Sequence, residues 1–190
     1  MKKFAVLVIV VLVVSLSVCM FACASDASKK VNTTDPKIAV VYFSITNNTE
    51  TIANYIADIK GADVFEIEAK VPYTDADLSY EDNTNRSSLE QADDTSRPEM
   101  ASAINISSYS IVYIGYPIWH GKAPRIMYTF IESQEWAWKQ IIPFCTSEES
   151  PIGDSATLLK DLGKGGHWTD GKRFATNATK SDVESWINTL

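Results

Sequence analysis

Three short apolar runs, Ile38–Phe43, Ser110–Tyr116 and Gln140–Cys145, carry no alternation between apolar and polar positions. A strand with one face in water alternates, so a continuous run of this length marks a strand covered on both faces, as in a parallel sheet. Parallel neighbours cannot be joined by a hairpin and need a crossover, usually a helix. The intervening segments supply one. After the polar turn Ser44–Thr49, residues Ile52, Tyr55, Ile56 and Ile59 fall at i, i+3, i+4 and i+7, a single stripe on a helix that Gly61 stops. A helix from about Pro124 to Ser133 follows the second run, and one from about Asp154 to Leu162 follows the third, with Gly163 suited to a left-handed C-terminal position. Val64–Ala69 and Trp168–Phe174 are the remaining strand candidates. A Ser181-x-x-Glu184 capping box is expected to open the last helix, ahead of Val183, Trp186, Ile187 and Leu190. This alternation predicts an α/β fold with an open, mostly parallel five-stranded sheet and helices on both faces.

From Lys70 to about Ser108 the pattern lapses into a polar, acidic stretch with Tyr73, Tyr80, Arg86 and Arg97 scattered through it. Only a short helix starting near Pro98 is expected there. Excursions of this length in compact domains are often functional.

The chain ahead of Lys37 reads differently. Lys2 and Lys3 precede an uncharged, mostly apolar stretch from Phe4 to about Ala24, and polar residues follow at once, the pattern of an export signal. Its length is near the ~20 residues of a spanning helix, so a cleaved signal and a retained anchor both stay open. Met20-Phe21-Ala22-Cys23 resembles the bacterial lipoprotein box, in which a small residue precedes a cysteine that is acylated and becomes the new N-terminus. Cys23 is the expected lipidation site, ahead of Cys19, which has bulky Val18 before it. Residues 1–23 are thus read as the signal, 24–36 as a flexible tether ending in the turn Thr33-Thr34-Asp35-Pro36, and 37–190 as the folded domain. The expected location is extracytoplasmic, at the bacterial cell membrane, with a secreted or signal-anchored form as the alternative.

Charge narrows the function. The chain has 17 Lys+Arg against 24 Asp+Glu, a net charge of −7, and losing the two N-terminal lysines but no acid would take this to −9. Such a surface cannot clamp a phosphate backbone, which excludes nucleic acid as a partner. Three cysteines, Cys19, Cys23 and Cys145, make neither a disulfide framework nor a zinc site, so no metal is expected. Cys145 reads as a buried, inert thiol, His167 as a strand-edge residue, and Trp136 and Trp138 as covers of the sheet edge or an adjacent helix.

In open parallel sheets a ligand lies beyond the C-terminal ends of the strands, where the strand order reverses. Three segments occupy such ends. Ser44-Ile45-Thr46-Asn47-Asn48-Thr49 brings hydroxyls, amides and unsatisfied N–H groups to a helix start, where a phosphate fits without Lys or Arg, although an ordinary capping turn has the same composition. Pro117-Ile118-Trp119-His120-Gly121 offers a large aromatic surface for a planar ring or, equally, a cover for the sheet edge. Thr146-Ser147-Glu148-Glu149-Ser150 is abruptly polar after Phe144 and Cys145, as any solvated loop is.

Together these segments carry a family resemblance. Lys37-Ile-Ala-Val-Val-Tyr-Phe-Ser-Ile-Thr-Asn-Asn-Thr49 resembles the flavodoxin phosphate loop, S-x-T-G-N-T, and Gly115-Tyr-Pro-Ile-Trp-His-Gly121 resembles the G-Y-P-I-W-W-G segment of a flavodoxin-like branch. Val71-Pro72-Tyr73, Ser96-Arg97-Pro98, Ala123-Pro124-Arg125, Ile142–Ser147 and Asp170-Gly-Lys-Arg-Phe174 follow that branch in order, so the resemblance spans residues 37–190. It implies a flavodoxin-like three-layer sandwich with strand order 2-1-3-4-5. It also implies FMN as cofactor, the phosphate held by Ser44, Thr46, Asn47, Asn48 and Thr49 and the ring bordered by Pro117, Ile118, Trp119, His120, Gly121, Thr146 and Ser147. Three departures stand out. Asn47 replaces Gly, which Asn tolerates because it visits left-handed backbone conformations. His120 replaces the second Trp, which removes aromatic area from the segment. Glu148 and Glu149 replace Gly-Gly, with Pro151 nearby; the two carboxylates either block the backbone's approach to the ring or fold outward, and where they stay close they are expected to oppose the negative charge it gains on reduction and so lower its potential.

The implied function is an FMN-carrying electron-transfer protein tethered outside the cytoplasm, passing electrons between a redox partner protein or small acceptor and its donor. No side chain is assigned as catalytic, because the flavin does the redox chemistry. The alternatives are an FMN-dependent NAD(P)H/quinone-type oxidoreductase in which His120 donates a proton, and a binding module that has lost FMN.

Overall fold

The computed structural model describes residues 35–79 and 81–190. The signal, the lipidation site Cys23 and the tether up to Thr34 lie outside the described residues, as does Tyr80. In chain order the elements are β1 (Ile38–Tyr42), α1 (Asn48–Lys60), β2 (Asp63–Glu66), a 3-10 turn (Asp75–Leu78), α2 (Arg86–Ala92) and β3 (Ile111–Pro117). They continue as α3 (Arg125–Glu132), β4 (Gln140–Thr146), α4 (Ser155–Gly163), β5 (His167–Trp168), β6 (Lys172–Phe174) and α5 (Lys180–Ile187).

The three apolar runs are the three central strands, and every pairing in the sheet is parallel. The order is β2-β1-β3-β4, with β5 and β6 both paired to β4 and together filling the fifth position, which is the order 2-1-3-4-5 that the resemblance implies. The last strand is therefore broken in two. His167 and Thr169 donate to the carbonyls of Lys139 and Ile141, and the next β4 residue in that phase is Pro143, which has no N–H to offer.

Alternate residues of the central strands enter two cores. Ala39, Val41, Val112, Ile114, Ile141 and Cys145 pack against Ile126, Met127, Phe130 and Ile131 of α3. Val40, Tyr42, Tyr113, Ile142 and Phe144 pack against Ile52 and Ile56 of α1 and Val183 and Ile187 of α5. Both faces are covered, which is why these strands read as unbroken apolar runs.

Several local expectations are corrected. No helix starts at Pro98. Instead Lys70 N–H donates to Glu99 O at 2.9 Å and Ala101 N–H to Glu68 O at 2.8 Å, an antiparallel bridge that keeps this backbone extended and ends the second strand at Glu66 rather than Ala69. The helix of the excursion is α2, whose Asn85 side chain accepts from Ser88 N–H at 2.9 Å. The last helix is capped by Thr179 with Asp182, not by Ser181 with Glu184, because the turn places the extended N-cap conformation at Thr179. Gly163 is the last helical residue and Lys164 takes the left-handed conformation at φ 45°. A Cβ at Gly163 would sit 3.0 Å from the Trp168 ring and 3.2 Å from that of Trp136, so close packing explains this glycine. Trp136 is buried, its indole N–H donating to Ile131 O at 2.7 Å, whereas Trp138 is 98% exposed among the described residues.

Candidate functional site

The ends of β1, β3 and β4 converge on a cleft of about 480 Å³ lined by Thr46 and Asn48, by Pro117, Ile118 and Trp119, and by Thr146–Ser150. That volume is within the ordinary range for a small-molecule site. Each lining segment follows a strand, and the parallel register puts Tyr42, Gly115 and Phe144 side by side, so all three loops leave the sheet at one level.

The first loop ends at Asn47, whose φ of 63° is the left-handed conformation expected there. Asn47 O accepts from both Thr51 N–H and Thr51 Oγ1 at 2.9 Å, which fixes the first turn of α1 and leaves its leading N–H groups facing outward from the helix end. Asn48 Nδ2 donates to Thr46 Oγ1 at 3.1 Å. Thr49 is buried and its hydroxyl lies 2.7 Å from that of Thr146, tying the first loop to the third. Ser44 Oγ is different. It is buried, in a residue only 8% exposed, and has no hydrogen-bond partner among the described residues. An unpaired buried hydroxyl costs about 1–3 kcal/mol, and an acceptor at this helix start would satisfy it.

The second loop turns through His120 at φ 47° and Gly121 at φ 77°, with Trp119 N–H donating to Lys122 O at 2.9 Å and Lys122 N–H returning to Trp119 O at 3.0 Å. The Trp119 ring meets Phe43 and Tyr73 edge to face, with centroids 5.5 and 5.1 Å away, so its orientation is locked from behind. His120 does not line the cleft; its Nε2 lies 3.3 Å from Ser88 Oγ on α2.

The excursion builds the remaining wall through Leu78 and Ser87. Gln91 donates to Trp119 O at 2.8 Å and Ala123 O at 3.2 Å. Arg125, buried at the start of α3, donates to Glu90 O at 3.2 Å, Gln91 O at 3.1 Å and the Asp94 carboxylate. Beneath the Tyr73 ring, Arg86 stacks at 3.9 Å, and burial holds the Tyr73 hydroxyl far above its ordinary pKa while it donates to Glu90 at 2.5 Å.

Of the residues expected at the site, Thr46, Asn48, Pro117, Ile118, Trp119, Thr146 and Ser147 line the cleft. Ser44, Asn47 and Thr49 stand behind or at the rim of the first loop, and His120 and Gly121 lie at the turn beyond Trp119. Glu148, Glu149 and Ser150, from the third strand-end segment, line it too, and so do Leu78, Ser87 and Thr176, which were not anticipated. Thr176 follows β6 and so occupies another strand end, a signal the strand-end rule contains. Nothing local in the sequence marks Leu78 or Ser87. Cys145 is buried at the end of β4, and burial pushes its thiol up to about 12. Among the described residues no group of three or more His, Cys, Asp or Glu side chains is placed to hold a metal.

The donor set fits FMN. The orphaned Ser44 hydroxyl, the threonine and asparagine side chains and the α1 start suit a phosphate held by neutral donors, and the cleft beside Trp119 suits a planar ring.

Residues 37–190 match the sequence profile of the family described as flavodoxin. Among solved structures, a protein assigned as a flavoprotein from Bacteroides uniformis superposes with a TM-score of 0.77 at 38% identity, covering 80% of this chain and 98% of that one. A second, likewise assigned, from Bacteroides eggerthii gives 0.76 at 38% identity over 82% of this chain and 98% of that one. A flavoprotein from Lactobacillus acidophilus, solved in complex with FMN, shares the fold at 18% identity and a TM-score of 0.58, covering 80% of this chain and 99% of that one. No curated protein matches the chain.

Proposed function

The chain belongs to the flavodoxin family, and from that premise we propose that the cleft holds FMN and that the domain carries electrons between partners, tethered outside the cytoplasm by its N-terminus. The observation that carries the reading is Ser44 Oγ, in the loop that opens onto the cleft, a buried hydroxyl with no partner among the described residues. Thr46, Asn48 and the leading N–H groups of α1 would orient the phosphate beside it, Thr49 and Thr146 would hold the first and third loops together, and Trp119 would flank the ring. Bound there, FMN supplies the redox chemistry, and the protein contributes orientation, exclusion of water and local charge.

A carrier is favoured over a reductase because His120, the proton donor of the reductase alternative, engages Ser88 and is not among the residues lining the cleft. The acidic surface suits a basic partner. The apolar stretch Phe4–Ala24 and the Cys23 box support the tether; among the described residues no helix is long and apolar enough to cross a membrane.

The test is the visible absorption spectrum of the domain, expressed from Ser25 onward, before and after adding FMN and desalting. Flavin bands that survive desalting are the expected result. A colourless protein that cannot be reconstituted would overturn the cofactor assignment and favour a binding module. Rapid NADH oxidation with a quinone acceptor would replace the carrier by a reductase.

A further inference from the structure

The third loop is held from behind by a residue outside the cleft. In β6, Arg173 pairs with Cys145 in β4, level with the strand end from which the loop departs. Its guanidinium takes three positions on that loop: Nε donates to Ser147 Oγ at 3.0 Å, and Nη2 donates to Ser147 O at 2.9 Å and to Glu148 O. Ser147 N–H donates to Phe174 O at 3.2 Å, and Ser147 Oγ donates on to Ser150 O, so the grip extends across the turn. Ser147, Glu148, Glu149 and Ser150 all line the cleft and Arg173 does not.

Peptide geometry gives this grip a direction. In a trans peptide the C=O of one residue points opposite to the N–H of the next. With the carbonyls of Ser147 and Glu148 turned toward Arg173, the N–H groups of Glu148 and Glu149 point away from it. The exposed Glu148 and Glu149 would otherwise be free to fold over their own backbone, and they bring two negative charges to the rim. A single cation behind the loop offsets part of that field. Nε and Nη2 form a planar fork that spans the Ser147 hydroxyl and two successive carbonyls; an ammonium at this position would carry the charge on a single nitrogen, without the fork.

We propose that Arg173 is a positioning residue that clamps the loop Ser147–Ser150, aims the Glu148 and Glu149 N–H groups into the cleft, and offsets the two carboxylates there. The clamp stands on the geometry of the chain alone; its effect on the cofactor rests on the reading of the cleft as an FMN site. The role differs from simple strand support, because it acts on a loop beyond the last β6 pairing.

The experiment has two arms on the full-length chain in mild detergent. In the first, without FMN, a glutamate-specific protease is used to follow cleavage after Glu148 and Glu149. Arg173→Gln and Arg173→Lys are both expected to speed cleavage roughly tenfold or more, since each loses the forked hydrogen bonds to the loop. In the second, FMN affinity and reduction potential are measured. Both variants are expected to bind roughly tenfold more weakly, and Arg173→Gln alone is expected to lower the potential, because Arg173→Lys retains the charge. Wild-type cleavage rates in both variants would overturn the clamp. Wild-type affinity and potential in Arg173→Gln, with cleavage accelerated, would overturn the proposed action on the cleft. Accelerated cleavage in a chain whose wild type binds no FMN would leave the clamp standing and remove the flavin reading. If Arg173→Gln fails to fold, Ser147→Ala deletes one contact of the clamp, and an unchanged cleavage rate there would overturn it.

Discussion

Ser44 and Asn47 are neighbours in one loop with opposite relations to the fold. Asn47 does conformational work: its left-handed φ of 63° turns the chain into α1, and its carbonyl accepts two bonds from Thr51. The Ser44 hydroxyl, by contrast, is buried and has no partner among the described residues. The two roles predict opposite signs for one substitution. Ser44→Ala should leave the FMN-free protein as stable as wild type or more so, because it removes an unsatisfied polar group. The same change should weaken FMN binding by about 1 kcal/mol, or roughly fivefold. Thermal melts without FMN and a fluorescence-quenching titration with it check the pair of outcomes, and a destabilised apo protein would mean that the hydroxyl has a structural partner.

At the scale of elements, α5 shows how a cap is chosen. Two capping patterns overlap at its start, Thr179-x-x-Asp182 and Ser181-x-x-Glu184, and periodicity accommodates either. The chain enters α5 in an extended conformation at Thr179, φ −94° and ψ 164°, which puts the cap there. Thr179→Ala should therefore cost about 1 kcal/mol and lower Tm by roughly 2–4 °C, while Ser181→Ala leaves Tm in place. The effect should depend on pH. The backbone N–H and then the hydroxyl of Thr179 hold the Asp182 carboxyl below its ordinary value. A carboxyl with a folded pKa below its unfolded one stabilises the native state above the unfolded pKa and loses that contribution as pH falls through the folded pKa. The gap in Tm between Thr179→Ala and wild type is thus expected to be full at neutral pH and to narrow below about pH 4. A gap independent of pH would mean that Asp182 takes no part in the cap.

For the whole molecule, the three loops around the cleft come from segments far apart in the chain, joined by contacts such as Thr49 to Thr146 and Gln91 to Trp119. A ligand bound between them couples to global stability. FMN at about a hundred times its Kd should stabilise the domain by about 2.7 kcal/mol, raising Tm by roughly 5–10 °C. Riboflavin, which lacks the phosphate, should give a smaller rise, because the Ser44 hydroxyl and the α1 start have no anion to receive. Equal shifts with both ligands would remove the phosphate from the argument.

The layered α/β architecture was legible because strands buried on both faces must be apolar throughout and crossover helices must carry a stripe, and both patterns are local in sequence. The loops at the ends of those strands were legible for the same reason, through the position of Ser44–Thr49, Pro117–Gly121 and Thr146–Ser147 after apolar runs. The excursion was not. Its backbone at Glu99–Ala101 stays extended because it pairs with Glu68–Lys70, and α2 holds its place because Gln91 and Arg125 bind backbone carbonyls remote in sequence. The same holds for the exposure of Trp138, the break of the last strand opposite Pro143 and the grip of Arg173 on the third loop. Burial periodicity is written along the chain, whereas a hydrogen bond between distant segments exists only once packing has brought its two ends together.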